Sequence, residues 1–335
     1  MRDVDWMAPS LALTLGSGAL AFLLIPNYSG IMPALLVLPF WLIAAAVIAS
    51  VYGFFAMMHA GVKSPIYQIR SFIVHDWRTV VLLLSCVFVA GLNMITFMWI
   101  KPLLNYLVPF WADPLLADLD NKLFFGHDPW SLFTWLNSNS MAIFYHRGWF
   151  AMMILTLLVA ATAPRSPERS AFMLSYFLLW SVIGPLVHTL LPAAGPVFFE
   201  QMGYGDRFSG LQGTAATEEV AAYLWTVYSG EGFGPGSGIS AMPSMHIATT
   251  AWMVIGFYVF ARRWIVPMAA AALLIFLLSI SLGWHYAMDG IVGAASAFLC
   301  YCLLRSIYRR RAYAPMRGNS SPGRHTPAVA VKSSR

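Results

Sequence analysis

The amino-acid sequence predicts an all-α, polytopic helical membrane bundle of about eight transmembrane helices, and three observations carry that expectation. Hydrophobic residues make up 59% of the 335 positions and charged residues only 10%, with a mean hydropathy of +0.68. A soluble domain needs about a quarter of its residues charged to solvate its surface. Apolar runs of about 20 residues, enough to cross a hydrocarbon core of ~30 Å, recur along the chain. The basic residues fall almost wholly on alternate connections between those runs.

In chain order, spans are expected at about 10–26, 32–58, 79–100, 145–163, 170–191, 244–261, 264–282 and 286–305. The first follows Pro9 and leads straight into further apolar runs, unlike a cleavable signal peptide, and is read as a span. The second carries Pro33 and Pro39, so its first turns are expected to be interfacial or kinked. Two connections are long, 101–144 and 192–243, and both mix aromatic residues with scattered acids, as structured caps at a membrane surface do. Within the first, Leu115, Leu116, Leu119, Leu123 and Phe124 stand at helical spacing and predict interfacial helices between Leu115 and Trp135. From about Arg305 the chain becomes basic and rich in Ser and Pro, which predicts a disordered tail. The expected units are two N-terminal spans with their connection (1–78), a six-helix catalytic core (79–305) and a basic cytoplasmic tail (306–335).

The net charge of +6 is mostly a topology signal rather than a nucleic-acid footprint. Counting through eight spans, sixteen of the twenty basic residues fall on one side, leaving only Lys101, Lys122, Arg147 and Arg207 on the other. That asymmetry places both termini in the cytoplasm and the two long connections outside, with the plasma (inner) membrane as the expected location. Cys86, Cys300 and Cys302 all lie in spans and form no C-x-x-C pair, so neither a disulfide framework nor a metal site is expected.

Two short stretches carry chemistry. Ser240-Ala241-Met242-Pro243-Ser244-Met245-His246 ends a glycine-rich loop and opens a span; Gly283-Trp284-His285-Tyr286-Ala287-Met288-Asp289 joins the last two spans. Both fall at the outer boundary, where an ionisable group is costly without a partner or a task. His285 and Asp289 are four apart, so on a helix they share a face and can hydrogen-bond. A carboxylate on one imidazole nitrogen fixes the tautomer and makes the other nitrogen a nucleophile or base. His246 would supply the complementary acid. Pro243 suits the first turn of a helix, and a helix start after the glycine-rich loop would turn backbone N–H groups toward an anion. Ser244 and Gly238 are therefore candidate phosphate-binding residues.

With those residues the chain resembles the type 2 phosphatidic acid phosphatase superfamily, most strongly over about 141–305. Its Pro-Ser-x-His motif is matched by Pro243, Ser244 and His246, and its His-x-x-x-Asp by His285 and Asp289. The resemblance implies that His285 attacks phosphorus to give a phosphohistidine, that Asp289 orients it, and that His246 protonates the leaving oxygen. The Gly-Trp-His-Tyr context and Leu191-Pro192-Ala193-Ala194-Gly195-Pro196 look most like the inositol phosphorylceramide synthase-like branch. Where the commoner family pattern has a phosphate-gripping arginine six residues before the nucleophile, this chain has Ser279. By subtraction Arg147 is the leading candidate for the missing cation, followed by Lys101 and Arg207.

The resemblance implies a phosphatase or phosphotransferase that needs no metal and no cofactor. Its partners are a lipid phosphate or phospholipid substrate and the bilayer, not nucleic acid. A membrane transporter relaying protons through the His/Asp pair is the alternative; it would gather polar groups at mid-membrane in matched halves. Haem ligation by His246 and His285 would leave Asp289 unexplained. The charge asymmetry is tested by reporter fusions at Arg317 and Gly213, which should report opposite sides of the membrane; the same side for both would refute the even-span topology.

Overall fold

The computed structural model describes residues 5–28, 30–234 and 236–313, and every regular element among them is helical. Helices α1 (Met7–Leu24) and α2 (Ile31–His59) lead through the short α3 (Pro65–His75) to α4 (Trp77–Leu107). The long first connection carries α5 (Asp113–Leu123). Then come α6 (Asn139–Thr162) and α7 (Pro167–Leu190), α8 (Ala215–Ser229) in the second long connection, α9 (Met245–Phe260), α10 (Ile265–Ser281) and α11 (Ala287–Tyr313). Among the described residues seven helices are long and apolar enough to cross a membrane, one fewer than expected; α9, in the place of the remaining span, is apolar but only 16 residues long. At 1.5 Å per residue α9 reaches about 24 Å, short of the ~30 Å core.

Local chemistry sets the helix boundaries. Ser138 and Ser166 cap α6 and α7, accepting the amides of Met141 at 3.3 Å and Arg169 at 3.1 Å. In α2 the helix is interrupted at Leu36, because Pro39 has no N–H to give the carbonyl of Leu35. The interruption falls in the first turns, where Pro33 and Pro39 led to an interfacial or kinked start being expected. In α7, Pro185 likewise has no N–H for Ser181, and the helix widens into a π-turn over Leu179–Ile183. The last helix runs on to Tyr313 rather than ending near 305, and most of the expected tail, 314–335, lies outside the described residues.

Close backbone approach and buried polar contacts hold the bundle. Trp252, fully buried, stacks on Phe172 at 4.2 Å and donates its indole N–H to the Phe172 carbonyl, tying α9 to α7. Trp41 donates to Val87 O at 2.9 Å, and Gly91 makes room for its ring: a Cβ there would fall 2.6 Å from it. Asn93, completely buried in α4, donates to Thr14 of α1 and Ser181 of α7. Such an amide acts as polar glue between spans. Helices α1 and α2 are otherwise mostly exposed, and α4 is much more enclosed.

The interfacial helix expected near Leu115 is α5, but its buried face differs from the leucine stripe. Leu115, Leu119 and Leu123 are exposed, while Asp113, Leu116, Ala117 and Asp120 are buried. Two buried acids need donors, and both find backbone amides. Asp120 accepts Ala287 N–H at 2.6 Å and Met288 N–H at 3.0 Å, capping the start of α11. Burial raises its carboxyl to about 6 against the pull of those two amides, with Asp289 and Asp128 adding to the rise. Removing one charge-bearing cap should cost about 2–4 kcal/mol. Asp120→Ala is therefore expected to lower the unfolding midpoint in detergent by several degrees and Asp120→Asn by less. An unchanged midpoint for Asp120→Ala would show that α11 does not need this cap.

Candidate active site

Three stretches of backbone outside the α-helices meet at one end of the bundle: 192–197, 238–244 and 282–286. Many of their backbone polar groups are satisfied by one another and by side chains from α4 and α5. Pro192 O accepts the amides of Trp111 and Ala112, Ala193 O accepts Ala241 N–H at 2.8 Å, and Val197 N–H reaches Gly283 O at 2.9 Å. Asp113 accepts Ala194 and Gly195 N–H and the Tyr286 hydroxyl, all within 3.0 Å. Asn105 grips both backbone groups of Ile239, at 2.6 and 2.7 Å. At Gly195 (φ +101°) a Cβ would sit 2.6 Å from Trp284 O, and at Gly238 (φ +94°) one would sit 2.8 Å from Pro102 N. Only glycine lets these backbones pass so closely.

This lacing brings the expected histidines together. The rings of His246 and His285 lie 6.3 Å apart between centroids. Ser244, wholly buried, is the cap of α9: its Oγ accepts Ile247 N–H at 3.3 Å and its own N–H bonds to Asp289 O. His246 falls in the first turn, its ring stacked on Tyr145 at 4.6 Å and tilted against Trp149 at 4.4 Å. Pro243 does not occupy the first helical turn as expected. It precedes the cap, and its bond to Met242 is cis.

The partner of His285 also differs from expectation. Its Nδ1 makes a 2.9 Å hydrogen bond with Ala241 O, and Asp289 Oδ2 is farther away, at 3.6 Å. Asp289 is instead engaged at 2.8 Å by the amide of Tyr286, in the tight turn that opens α11. A carbonyl only accepts, so Nδ1 must carry the proton and Nε2 keeps its lone pair. Burial pushes His285 down to about 3; the Ala241 carbonyl opposes this and the Lys101 charge adds to it. The ring is a neutral imidazole at physiological pH, with Nε2 free to attack or to accept a proton.

The candidate phosphate-binding residues divide sharply. Arg147 is exposed. Each helical residue turns about 100°, so Tyr145, His146 and Trp149 face the histidines while Arg147 points nearly the opposite way. Arg207 is occupied by ion pairs to Asp118 and Asp128, each at 2.7 Å. Lys101 is half-buried, and its charge acts on His188, His246 and His285 alike. Among the described residues it has no carboxylate partner. The backbone of Gly238 packs directly on that of Lys101 and Pro102. Ser279, at the family's arginine position, is fully buried, and its carbonyl receives His285 N–H at 3.1 Å.

Sequence reasoning missed His146, the neighbour of Arg147, whose ring lies 5.6 Å from that of His246 and 5.9 Å from that of Trp284. It also missed Asp113 and Asp120. The available signal was their seven-residue spacing, which puts two acids on one helix face with Leu116 and Ala117. Asn105 was signalled by standing four residues after Lys101.

The model of the PAP2 superfamily matches residues 114–303, more than half of the chain. The chain belongs to the PAP2 superfamily. No curated protein and no solved structure matches it. Membership makes it a phosphatase-type enzyme acting on phosphate esters, built here into a membrane bundle. Lys101, Asn105 and Asp113 lie before the matched PAP2 segment, yet all three reach its histidine end.

Proposed function

We propose that this PAP2 protein transfers a phosphoryl group or phospho-headgroup of a lipid through a phosphohistidine on His285, in the manner of the synthase-like branch. The observation that carries the proposal is the 2.9 Å contact between His285 Nδ1 and Ala241 O, which leaves Nε2 unprotonated in a ring 6.3 Å from that of His246. Nε2 attacks phosphorus and the bond to the leaving oxygen breaks as His246 protonates it. Water or a lipid alcohol then takes the group from Nε2, releasing the imidazole. Asp289, 3.6 Å from Nδ1, steadies the positive charge that the ring acquires on phosphorylation.

Lys101 is the cation assigned to the phosphoryl oxygens, in place of Arg147. Among the described residues it is the basic residue whose charge acts on His188, His246 and His285 and that is not spent on an acid, and it lies where solvent screening is weak. The amides of Met245 and His246, at the positive end of α9, add donors for the same oxygens. The indole N–H of Trp284, whose ring lies 5.9 Å from that of His146, is buried without a partner among the described residues and is a further donor for an anionic ligand. On the charge-derived topology this end faces outside, and the substrate would enter from the outer leaflet.

The test offers the purified protein labelled lipid phosphates and phospholipids, with and without a lipid alcohol. Wild type should release or transfer the label. His285→Ala should lose turnover altogether, and Lys101→Ala should lose about 10²–10³ in kcat. Lys101→Arg should retain more, and Arg147→Ala should stay within about threefold of wild type. Full turnover in His285→Ala would end the proposal, and a crippling Arg147→Ala would return the phosphate contact to Arg147.

A further inference from the structure

Beyond the pair that the family motifs mark, a third imidazole packs against His246. His146 stands on α6 beside Tyr145, edge-on to three rings: Tyr145 at 4.9 Å, His246 at 5.6 Å and Trp284 at 5.9 Å, with interplanar angles of 71–72°. The ring of His246 links it to His285, at 5.6 Å on one side and 6.3 Å on the other. No carboxylate engages it among the described residues, so it is not an ion-pair histidine held for stability. His246, by contrast, is fixed by a stack on Tyr145, a tilted contact with Trp149, and a carbonyl that receives both Trp149 Nε1 at 3.1 Å and Thr250 Oγ1 at 2.6 Å.

We infer that His146 is a second acid–base residue of this site and serves as the general base that activates the acceptor hydroxyl. This deepens the phosphohistidine reading and rests on it. The transfer has two half-reactions with opposite proton demands: the leaving oxygen must gain a proton and the acceptor oxygen must lose one. In-line displacement brings both oxygens in turn to the position opposite His285 Nε2. An oxygen about 3 Å from a nitrogen of each ring fits between centroids 5.6 Å apart. In the first half-reaction His246 protonates the leaving oxygen and becomes neutral. In the second, the acceptor O–H gives its proton to His146, its oxygen bonds to phosphorus, the P–N bond breaks, and the electron pair returns to Nε2. The two imidazoles then restore their protonation through solvent. Two histidines in the two roles suit a site whose leaving group and acceptor are different alcohols, because each can be oriented for its own partner.

The experiment is rapid-quench measurement of phosphoenzyme formation and breakdown on the full chain, comparing wild type with His146→Gln. Formation should change by less than about threefold while breakdown slows by at least tenfold, so that the variant accumulates phosphohistidine. Equal slowing of both phases, or no slowing of breakdown, would overturn the inference. A second readout uses methanol and trifluoroethanol as acceptors for the preformed phosphoenzyme. Loss of the base should make breakdown much more sensitive to acceptor acidity, so trifluoroethanol should recover a larger share of the rate in the variant than in wild type. A merely structural role for His146 would slow both alcohols alike, which also refutes it. Wild-type protein that forms no phosphohistidine at all would instead remove the underlying proposal.

Discussion

The catalytic end of this bundle is governed by the need to satisfy irregular backbone that is buried among apolar helices. A span satisfies its own N–H and C=O groups, but a strap such as 238–244 cannot, and each group buried unpaired would cost about 1–3 kcal/mol. The strap is therefore gripped by Asn105 at Ile239, by Ala193 at Ala241 and by Asp289 O at Ser244. One carbonyl of the same strap, Ala241 O, takes Nδ1 of His285. The group that orients the imidazole thus belongs to the lacing of the loops. This is why α9 is short: the residues that would extend it to full span length form the strap instead.

Charge follows the same economy. Asp113 and Asp120 are buried, and their donors are mostly backbone amides of the turns that present Gly195 and open α11. Arg207 spends its charge on Asp118 and Asp128 at the surface of this cap. Among the described residues Lys101 has no acid of its own, so in the proposed reading a bound phosphate ester would meet it without displacing a carboxylate. Upstream residues on α4 and α5 thus hold backbone next to family motifs that all lie downstream.

Much of this was legible in the sequence, for a physical reason. Span length and the alternation of basic residues are set by the bilayer, and they mark the helices without tertiary information. The His246, His285 and Asp289 pattern was readable because its residue types are costly in such surroundings. What escaped was rotation and pairing. An error of one residue along α6 turns a side chain by about 100°, and so Arg147 was chosen where His146 reaches the histidines. The i, i+4 spacing of His285 and Asp289 suggested a direct hydrogen bond, because it assumes both residues are helical. His285 lies before the first turn of α11, and its Nδ1 meets Ala241 O instead. The buried acids of α5 were hidden by leucines whose periodicity marks the exposed side of that helix.

The central claim is that the Ala241 carbonyl fixes the proton on Nδ1 and makes Nε2 of His285 the nucleophile. The most direct measurement is to trap wild-type enzyme with labelled phosphate ester, digest it under alkaline conditions, and determine both the labelled residue and the labelled ring nitrogen. The account predicts phosphate at Nε2 of His285. Label at Nδ1 of that ring, or on His246 or His146, would contradict it.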